Sequence, residues 1–296
     1  MKEKPFSKYQ ILANAVMIIW TLAIILPFIL LFMSSITDEN TLVANGYSFF
    51  PKKFSLASYS YIIKSGGQIL KAYGVSIGVT VVGTLLNVLL SALMAYPLLV
   101  KNLPGRNVMM FFVFFTMLFN GGIVPSYIMW TGTFHIKDTI FAQLLPNFLL
   151  SAWNVMMIRT YFTTSIPDGL YEAAEIDGAS QFTIFWKIVL PLGKPILVTM
   201  GTFAGLAYWN DWTNGLYYIV KNTGLYNVQN LLNQMVQNIQ FLTQSSNSNV
   251  TAAASTIPAT GIQMAIAFVA ILPIMLIFPS FQKYYAKGIA LGAVKG

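Results

Sequence analysis

The chain has 296 residues, of which 56% are hydrophobic and only 9% are charged. An average soluble domain has about 25% charged residues, so the composition excludes an ordinary soluble domain and indicates a membrane protein. The lack of cysteine excludes disulfides, thiolate metal sites and cysteine nucleophiles. The net charge of +8 requires no nucleic-acid partner, because Lys and Arg collect in the cytoplasmic loops of membrane proteins.

Six apolar runs are long enough to cross a bilayer, whose hydrocarbon core of about 30 Å requires about 20 helical residues. They lie at about 11–33, 72–100, 108–131, 139–161, 195–219 and 261–282. None alternates apolar and polar residues as barrel strands do. The first run is too long for the hydrophobic region of a signal peptide, about 7 to 15 residues. The sequence therefore predicts an all-α membrane protein with six transmembrane helices, the first uncleaved, in one domain over residues 1–296.

The distribution of positive charge predicts the orientation. An even number of spans places both termini on one side, and cytoplasmic termini give the internal segments eleven Lys and Arg residues and the external segments six. This excess agrees with the positive-inside rule. The long connections are then two external segments, about 34–71 and 220–260, and one internal loop, about 162–194. Within 220–260, LLNQMVQNIQFL has helical apolar spacing and predicts a helix on the membrane surface or against a partner.

Several single features indicate packing rather than chemistry. The pairs Gly74/Gly78 and Gly201/Gly205 each place two glycines on one helix face, which allows another backbone to approach. The only histidine, His135, lies between two apolar runs and is interpreted as an interfacial side chain, because metal sites need several ligands.

The internal loop has the densest group of carboxylates in the chain. Ser165 precedes Asp168 by three residues, as in a capping box, and Pro167 is tolerated in a first turn. The pattern predicts a helix that begins near Asp168 and stops at Gly178, where glycine permits a left-handed conformation. Phe182, Phe185, Ile188 and Val189 then predict a second apolar face. A headgroup-bound connector is the alternative, but an anionic leaflet would repel these carboxylates.

The loop contains Glu172-Ala173-Ala174, then Asp177-Gly178-Ala179, and then Ile188, Leu190 and Pro191. These residues resemble the EAA loop of ATP-binding-cassette importer permeases, through which the membrane subunit contacts its ATPase. The matching residues extend over about 20 positions at fixed spacing. The resemblance implies an ATPase-coupling helix and assigns that contact to Glu172, Ala173, Ala174, Glu175, Asp177, Gly178, Ala179 and Pro191.

Three further segments resemble the second permease subunit of the maltose-transporter type of sugar importer. The C-terminal FPSFQKYYAKGIALGAVKG is similar to that family's tail and implies an ATPase-dimer contact by Lys287, Gly288, Gly292, Lys295 and Gly296. Trp209, Asn210 and Asp211 resemble a stretch of the family's fifth helix, on a possible translocation path. FNGGIVPSYIMW, residues 119–130, resembles a branch associated with oligosaccharides from complex polysaccharides.

The family implies a defined set of partners. These are a second homologous permease, two ABC ATPase subunits, an extracellular solute-binding protein, an oligosaccharide substrate and the bilayer of a bacterial cytoplasmic membrane. ATP and Mg²⁺ would be bound by the partner ATPase, and no cofactor by this chain. The sequence itself agrees, because Gly193-Lys194 precedes Pro195 and lacks the upstream glycine of a phosphate-binding loop. The chain is therefore predicted to be a translocation subunit and not an enzyme.

Asp211 leaves two interpretations open. An ionised acid inside a membrane costs about 2.5 to 3.5 kcal/mol on insertion scales and usually marks function, so Asp211 could line the sugar path. Its polar neighbours indicate instead a hydrogen-bonding group at a helix end. Trp209, Trp212, Tyr217 and Tyr218 could stack on sugars or form an interfacial aromatic belt. The alternative function is an ion-coupled secondary carrier that uses Asp211. An intramembrane enzyme would need a Ser or Asp pair with a base, or metal ligands, and the sequence shows no such group. A receptor or scaffold would not explain the coupling loop.

Overall fold

The computed structural model describes residues 8–64, 66–100, 103–244 and 259–293. Within these ranges the regular structure is helical, apart from one antiparallel bridge between Thr37 and Phe54. The helices are α1 Lys8–Ser35, α2 Glu39–Asn45, α3 Ala57–Lys64, α4 Gly66–Ala95, α5 Arg106–Leu118, α6 Ile123–Ile128, α7 Phe141–Leu144, α8 Ala152–Ser165, α9 Asp168–Ile176, α10 Gln181–Ile184, α11 Leu190–Leu192, α12 Lys194–Asn210, α13 Thr213–Tyr218, α14 Val228–Gln244 and α15 Ala259–Ala293. The all-α class is confirmed for the described residues.

Short turns extend some of these helices. A 3-10 turn, Pro97–Leu99, follows α4, and π-helical turns continue α6 over Met129–Thr133 and α10 over Phe185–Val189. Another 3-10 turn, Thr223–Leu225, precedes α14.

Three of the predicted spans are continuous helices that are long and apolar enough to cross a membrane. They coincide with Lys8–Ser35, Gly66–Leu99 and Thr260–Ile277. Two bent helix pairs in the described residues, Arg106–Leu118 with Ile123–Thr133 and Gln181–Leu192 with Lys194–Asn210, would raise the number to five if each were one span. Six crossings and the side of the termini stay predictions.

The prediction of a single helix over 108–131 is wrong. The chain breaks between α5 and α6, and the two halves are bent by 115°. Gly122 has a φ of 86°, and the Asn120 side chain accepts a hydrogen bond from its N–H at 2.9 Å. Local side-chain bonding to the backbone competes with helix continuation, and only glycine adopts positive φ cheaply. Mean hydropathy over the run does not record this break.

The prediction of a single helix over 139–161 is also wrong. The segment contains the short α7 and the start of α8, with a non-helical connection at 145–151. Pro146 has no N–H for a helical bond, and Asn147 has a φ of 68°. Ser151 restarts the helix as an N-cap, accepting from the N–H of Asn154 at 3.5 Å. Apolar length alone predicted the helix, whereas proline and asparagine interrupt it.

The run at 195–219 is divided as well. The helix α12 ends at Asn210, Asp211 is extended, and α13 begins at Thr213. At the other end, Gly193 separates α12 from the preceding helical segment with a bend of 78°. A side chain at Gly193 would contact the Phe162 ring, so the close packing of this bend requires glycine.

The chain divides into two compact units, one from the described parts of 1–69 and 232–273, the other from those of 70–231 and 274–296. In the first unit, Glu39 accepts hydrogen bonds from the N–H groups of Thr260 and Gly261, both at 2.8 Å. A carboxylate at this position satisfies the otherwise unpaired first donors of α15 and complements the helix dipole. Ser35 and Tyr59 join their hydroxyls at 2.7 Å. These contacts fix the first predicted external segment to the start of the last helix.

The second unit contains the main apolar core, which is formed by α4, α5, α8, the 168–192 segment and α12. A buried amide pair crosses this core, because the Asn154 side chain donates to Asn87 at 2.7 Å and Asn87 donates to the carbonyl of Phe148 at 2.6 Å. A Cβ placed on Gly201 would lie 3.4 Å from the Val88 side chain of α4, and one placed on Gly205 would lie 3.3 Å from the Thr84 side chain, so α4 packs closely against this glycine face. The packing predicted for that glycine pair is therefore confirmed.

Candidate functional site

The helix α9 forms the centre of the predicted coupling loop. It begins at Asp168, as predicted, but its N-cap residue is Pro167, which makes no side-chain cap hydrogen bond. Ser165 is instead the last residue of α8. The capping-box prediction is therefore wrong, because the preceding helix runs on through Ser165 and proline sets the extended conformation at the start of α9.

The end of α9 is a Schellman motif centred on Gly178. Gly178 has a φ of 77° and donates to the carbonyl of Glu175 at 3.0 Å, and Ala179 donates to the carbonyl of Ala174 at 2.9 Å. These two bonds define the motif, and the left-handed residue is usually glycine because a Cβ adds strain there. The predicted stop at Gly178 is confirmed. The reversal thus makes α9 a short helix separate from the segment that follows it.

The outer surface of this loop combines carboxylates with apolar side chains. Glu172, Glu175 and Asp177 are exposed, together with Ala173. Around them lie Leu170, Ile176, Phe182 and Trp186, and the Ile176 side chain is 86% exposed. Exposed apolar groups in one patch are typical of a surface that contacts another protein. We call the exposed side chains of 170–186 the coupling surface.

The inner side of the loop anchors it to the core. Ala174, Ile184, Phe185 and Val189 are buried in the main cluster, so α9 is attached through its single buried alanine and the following segment. Phe185 and Val189 of the predicted second apolar face are thus inside, whereas Phe182 is outside. Ala179 packs against the same cluster as a partly buried residue, and Pro191 is exposed in α11.

A hydrogen-bond chain joins the coupling surface to the end of α4. The side chain of Gln181 donates to Glu175 at 2.7 Å, and the Tyr96 hydroxyl donates to Gln181 at 2.6 Å. Tyr96 also packs on Phe185, with ring centroids 5.3 Å apart. The sequence did not indicate Tyr96 or Gln181, because their 85-residue separation gives no local signal. Their contact links the end of α4 to α9 through side-chain hydrogen bonds.

Burial affects one titratable group of α9. Desolvation raises the pKa of Tyr171 to about 12, so its phenol is neutral at physiological pH. Its hydroxyl has no hydrogen-bond partner among the described residues. Tyr171 therefore attaches the helix by packing rather than by charge.

The predicted ATPase-dimer contact of the tail falls partly on described residues. Lys287, Gly288 and Gly292 lie in the backbone of α15. Lys295 and Gly296 lie outside the described residues.

Asp211 is buried at the junction between α12 and α13. Asp211 is only 5% exposed. Its Oδ1 accepts hydrogen bonds from the Thr213 hydroxyl at 2.8 Å and from the N–H groups of Thr213 and Asn214 at 3.0 and 3.2 Å. Oδ2 is buried without a partner among the described residues. This geometry is that of a helix-end hydrogen-bonding group. Trp209 is also buried, whereas Asn210 is exposed.

Asp211 belongs to a wider buried polar cluster. The side chain of Asn227 donates to the Asp211 carbonyl at 2.6 Å, and its Oδ1 caps α14 by accepting from the N–H of Asn230 at 2.8 Å. Gln143 donates to Asn230 at 3.3 Å, and Asn214 donates to the carbonyl of Pro146 at 3.1 Å. We call Gln143, Asp211, Asn214, Asn227 and Asn230 the polar cluster. It supplies hydrogen bonds to backbone groups left unpaired where the helices break, as buried polar groups require.

The aromatic residues near this cluster differ in accessibility. Trp212 and Tyr217 are exposed, whereas Tyr218 is buried and stacks on Tyr127 with centroids 5.8 Å apart and an interplanar angle of 10°. Tyr218 therefore has its ring face occupied by another residue of the chain. His135, the single histidine, is exposed.

Gly74 and Gly78 line an open groove. No described residue lies within 4 Å of a Cβ placed at either glycine, so the close approach predicted for this pair is absent from the described residues. The groove has a volume of about 450 Å³ and also contacts Lys71, Ile140 and Leu144. Its walls are mainly apolar, and Lys71 is the one charged side chain among the residues that line it.

A family model for the "binding-protein-dependent transport system inner membrane component" matches residues 69–291. This range includes the coupling loop, the polar cluster and most of α15. The chain belongs to this family. It is therefore a membrane-embedded permease component of a binding-protein-dependent ABC importer in the cytoplasmic membrane, as predicted.

Curated relatives cover almost the whole chain. Protein LplC of Bacillus subtilis is 36% identical over 92% of this chain and 90% of its own length. The polygalacturonan/rhamnogalacturonan transport system permease protein YtcP of Bacillus subtilis is 35% identical over 97% of this chain and 98% of its own length. A subunit in the crystal structure of a bacterial ABC transporter involved in the import of the acidic polysaccharide alginate aligns with a TM-score of 0.79 and 25% identity, covering 96% of this chain and 100% of that one. The comparisons give no support to the alternative of an ion-coupled carrier.

Proposed function

We propose that the chain is one of two unlike permease subunits that move an oligosaccharide, released from a complex polysaccharide, through an ATP-driven importer. The similarity to a polygalacturonan/rhamnogalacturonan permease over 97% of the chain supports a carbohydrate substrate. Similarity to a transporter involved in alginate import supports the same class. Alginate is an acidic polysaccharide, and polygalacturonan and rhamnogalacturonan both contain galacturonic acid, so an oligosaccharide containing uronic acid is the first substrate to test.

The proposed assembly contains this chain, a second homologous permease, two ABC ATPase subunits that bind ATP and Mg²⁺, and an extracellular solute-binding protein. Six crossings with cytoplasmic termini place 162–194 on the ATPase side. Family membership supports these partners in general. Lys287, Gly288, Gly292, Lys295 and Gly296 are proposed to contact the ATPase dimer, and Trp209 and Asn210 to lie beside the translocation path.

The coupling surface carries the mechanistic proposal. The exposed helix α9 and its C-cap residue present Glu172, Ala173 and Asp177 to an ATPase socket, while Ala174 anchors the helix to the core. The Schellman motif at Gly178 fixes the angle at which the helix leaves the core. ATP-driven movement of the ATPase subunits would displace α9, and the Gln181 bridge to Tyr96 would carry that displacement to α4.

Gly178→Asp tests this assignment. A side chain at the left-handed position adds strain of about 1 to 2 kcal/mol, which corresponds to roughly tenfold in an equilibrium, and the new charge lies next to the socket. We expect transport by the assembled importer to fall by about tenfold or more. Affinity purification in mild detergent should recover the second permease but little ATPase, as quantified by mass spectrometry.

Gly169→Asp is the matched control. Gly169 is in the same helix, is exposed, has an ordinary φ and has open space where a side chain would be placed. An acid there lies in the first turn, where the helix dipole favours it. Full ATPase recovery with Gly178→Asp, or equal loss with both variants, would reject the coupling assignment. A protein purified without any ATPase in the wild type would reject the proposed assembly itself.

A further inference from the structure

Two arginines from different helices converge on one backbone carbonyl. Arg106 donates from Nε to the carbonyl oxygen of Leu98 at 2.9 Å, and Arg159 donates from Nε to the same oxygen at 3.2 Å. Leu98 lies in the 3-10 turn after α4, Arg106 is the first residue of α5, and Arg159 is in the second half of α8. The two guanidinium groups are therefore neighbours, although like charges repel.

This pair has no acidic counterpart in the part of the chain that the structure describes. The single ion pair found there joins Lys53 and Asp38. One arginine would suffice to cap the carbonyl of Leu98, since each guanidinium has five N–H donors. Neither arginine has a bond from its terminal nitrogens to another described residue. Four N–H groups on each side chain thus stay available for an anion.

The start of α5 adds to the positive potential. Its N-cap is Gly105, which provides no side-chain acceptor, and its first turn contains no acid. The N-terminal N–H groups of a helix and its dipole favour an anion. Arg106 itself is a cation at this end, so the helix dipole does not stabilise it. A negative charge at this position would therefore be stabilised by both guanidinium groups and by the helix end.

The position of the pair identifies the anion. Leu98 is next to the end of the candidate span Gly66–Leu99, and Arg106 begins the next apolar helix. Lipid phosphates lie at this boundary between apolar helix and water. Beyond Arg106, α5 exposes Val108, Phe111 and Phe112, which offer an apolar surface to an acyl chain. Planar guanidinium groups bind phosphate oxygens in a bidentate manner.

We propose that Arg106 and Arg159 form a binding site for the phosphate group of an anionic phospholipid. The site lies beside the coupling loop, because Leu98 shares a core cluster with Ala174 and Ile184. A bound lipid would neutralise the arginine pair and hold the end of α4 against α5 and α8. The proposal does not depend on the substrate or on the coupling assignment.

The experiment measures lipid retention by the assembled importer. Complexes are exchanged from nanodiscs of equal phosphatidylglycerol and phosphatidylcholine into detergent, and retained lipids are quantified by native mass spectrometry. The wild type should retain phosphatidylglycerol selectively, and the Arg106→Gln/Arg159→Gln variant should retain at least about tenfold less, as the loss of charge-assisted bonds predicts. The Lys187→Gln/Lys194→Gln variant, which removes two exposed positive charges from the same loop region, should match the wild type.

Each other outcome overturns the lipid site. Equal loss in the lysine variant would mean diffuse charge attraction, and unchanged retention in the arginine variant would mean binding elsewhere. Displacement of phosphatidylglycerol by millimolar inorganic phosphate would assign the site to free phosphate instead. If the double variant does not assemble, the wild-type importer alone tests the proposal. Equal retention of phosphatidylglycerol and phosphatidylcholine by the wild type would exclude an anionic-lipid site. Arg106→Lys, which keeps the charge but loses the planar fork, should show intermediate retention.

Discussion

Three carboxylates of the predicted external side and two of the coupling loop differ in what they bind. Glu39, Asp138 and Asp211 each accept hydrogen bonds from two or three backbone N–H groups, mostly far away in the sequence. Glu172 and Asp177 are exposed and have no hydrogen bond or ion pair from their side chains to a described residue. The first group thus holds breaks in the chain together, whereas the second is accessible to a partner.

The difference separates stability from interaction. A carboxylate that satisfies backbone donors cannot be replaced without leaving those donors unpaired. An exposed carboxylate on a helix contributes little to folding, so its presence is better explained by binding. The comparison predicts a gradient of effects on unfolding, from large at Asp211 to almost none at Glu172 and Asp177.

The largest effect is expected for Asp211→Ala. The substitution leaves the Thr213 hydroxyl and two N–H groups without their acceptor in a buried site, which should lower the free energy of unfolding by about 2 to 4 kcal/mol. Thermal unfolding of the protein in nanodiscs, followed by intrinsic fluorescence, measures this.

Asp211→Asn distinguishes structure from transport chemistry. All the hydrogen bonds described for the Asp211 side chain use Oδ1, which an amide oxygen can replace, so we expect a cost below about 1 kcal/mol and normal transport. Loss of transport in this variant with an unchanged unfolding temperature would show that the charge itself is needed, and would return Asp211 to the translocation path.

The fold was predictable where hydropathy and helix length coincide. The runs at 11–33, 72–100 and 261–282 contain few interrupting residues, and long helices form there. The other three runs were predicted as single helices because their mean hydropathy is high. Mean hydropathy measures how readily side chains enter an apolar environment, and it does not show whether the backbone helix is continuous. Asn120, Asn147 and Asp211 interrupt them through local side-chain bonds or positive φ, and such effects depend on one residue each.

The candidate site was predictable in part for the same reason. The stop at Gly178 depends on a local motif and is confirmed. The bridge from Tyr96 through Gln181, the polar cluster and the arginine pair all join residues more than 50 positions apart. Tertiary packing creates these contacts, so a single sequence carries no spacing that would reveal them.

A smaller effect is expected at Asp138. Its Oδ1 accepts from the N–H groups of Val220 and Lys221, both at 2.7 Å, and of Asn222 at 3.3 Å. These bonds, led by that of Lys221, hold the pKa of Asp138 below its usual value. A lowered folded-state pKa contributes stability above the unfolded pKa, about 3.9, and this contribution is lost as the pH falls through the folded value.

Asp138→Asn should therefore lower the unfolding temperature slightly at pH 7, and the difference from wild type should shrink as the pH falls below about 4. Asparagine retains the acceptor oxygen and tolerates the positive φ of 59° at this position. The substitution thus keeps the backbone conformation and removes only the negative charge of the Asp138 carboxylate. A difference that stays constant from pH 7 to pH 3 would contradict the contribution of the ionised carboxylate.

The smallest effect on folding and a clear effect on assembly are expected for Glu172→Gln/Asp177→Asn. Both side chains are exposed and make no described contacts, so the free energy of unfolding should change by less than about 0.5 kcal/mol. If the carboxylates bind basic groups of the ATPase, their loss should weaken its retention in mild detergent at low salt, and the difference from wild type should shrink as salt is raised, because salt screens the attraction that only the wild type has. An unfolding temperature lowered as much as by Asp211→Ala would mean that these acids stabilise the fold, and the distinction between the two groups of carboxylates would fail.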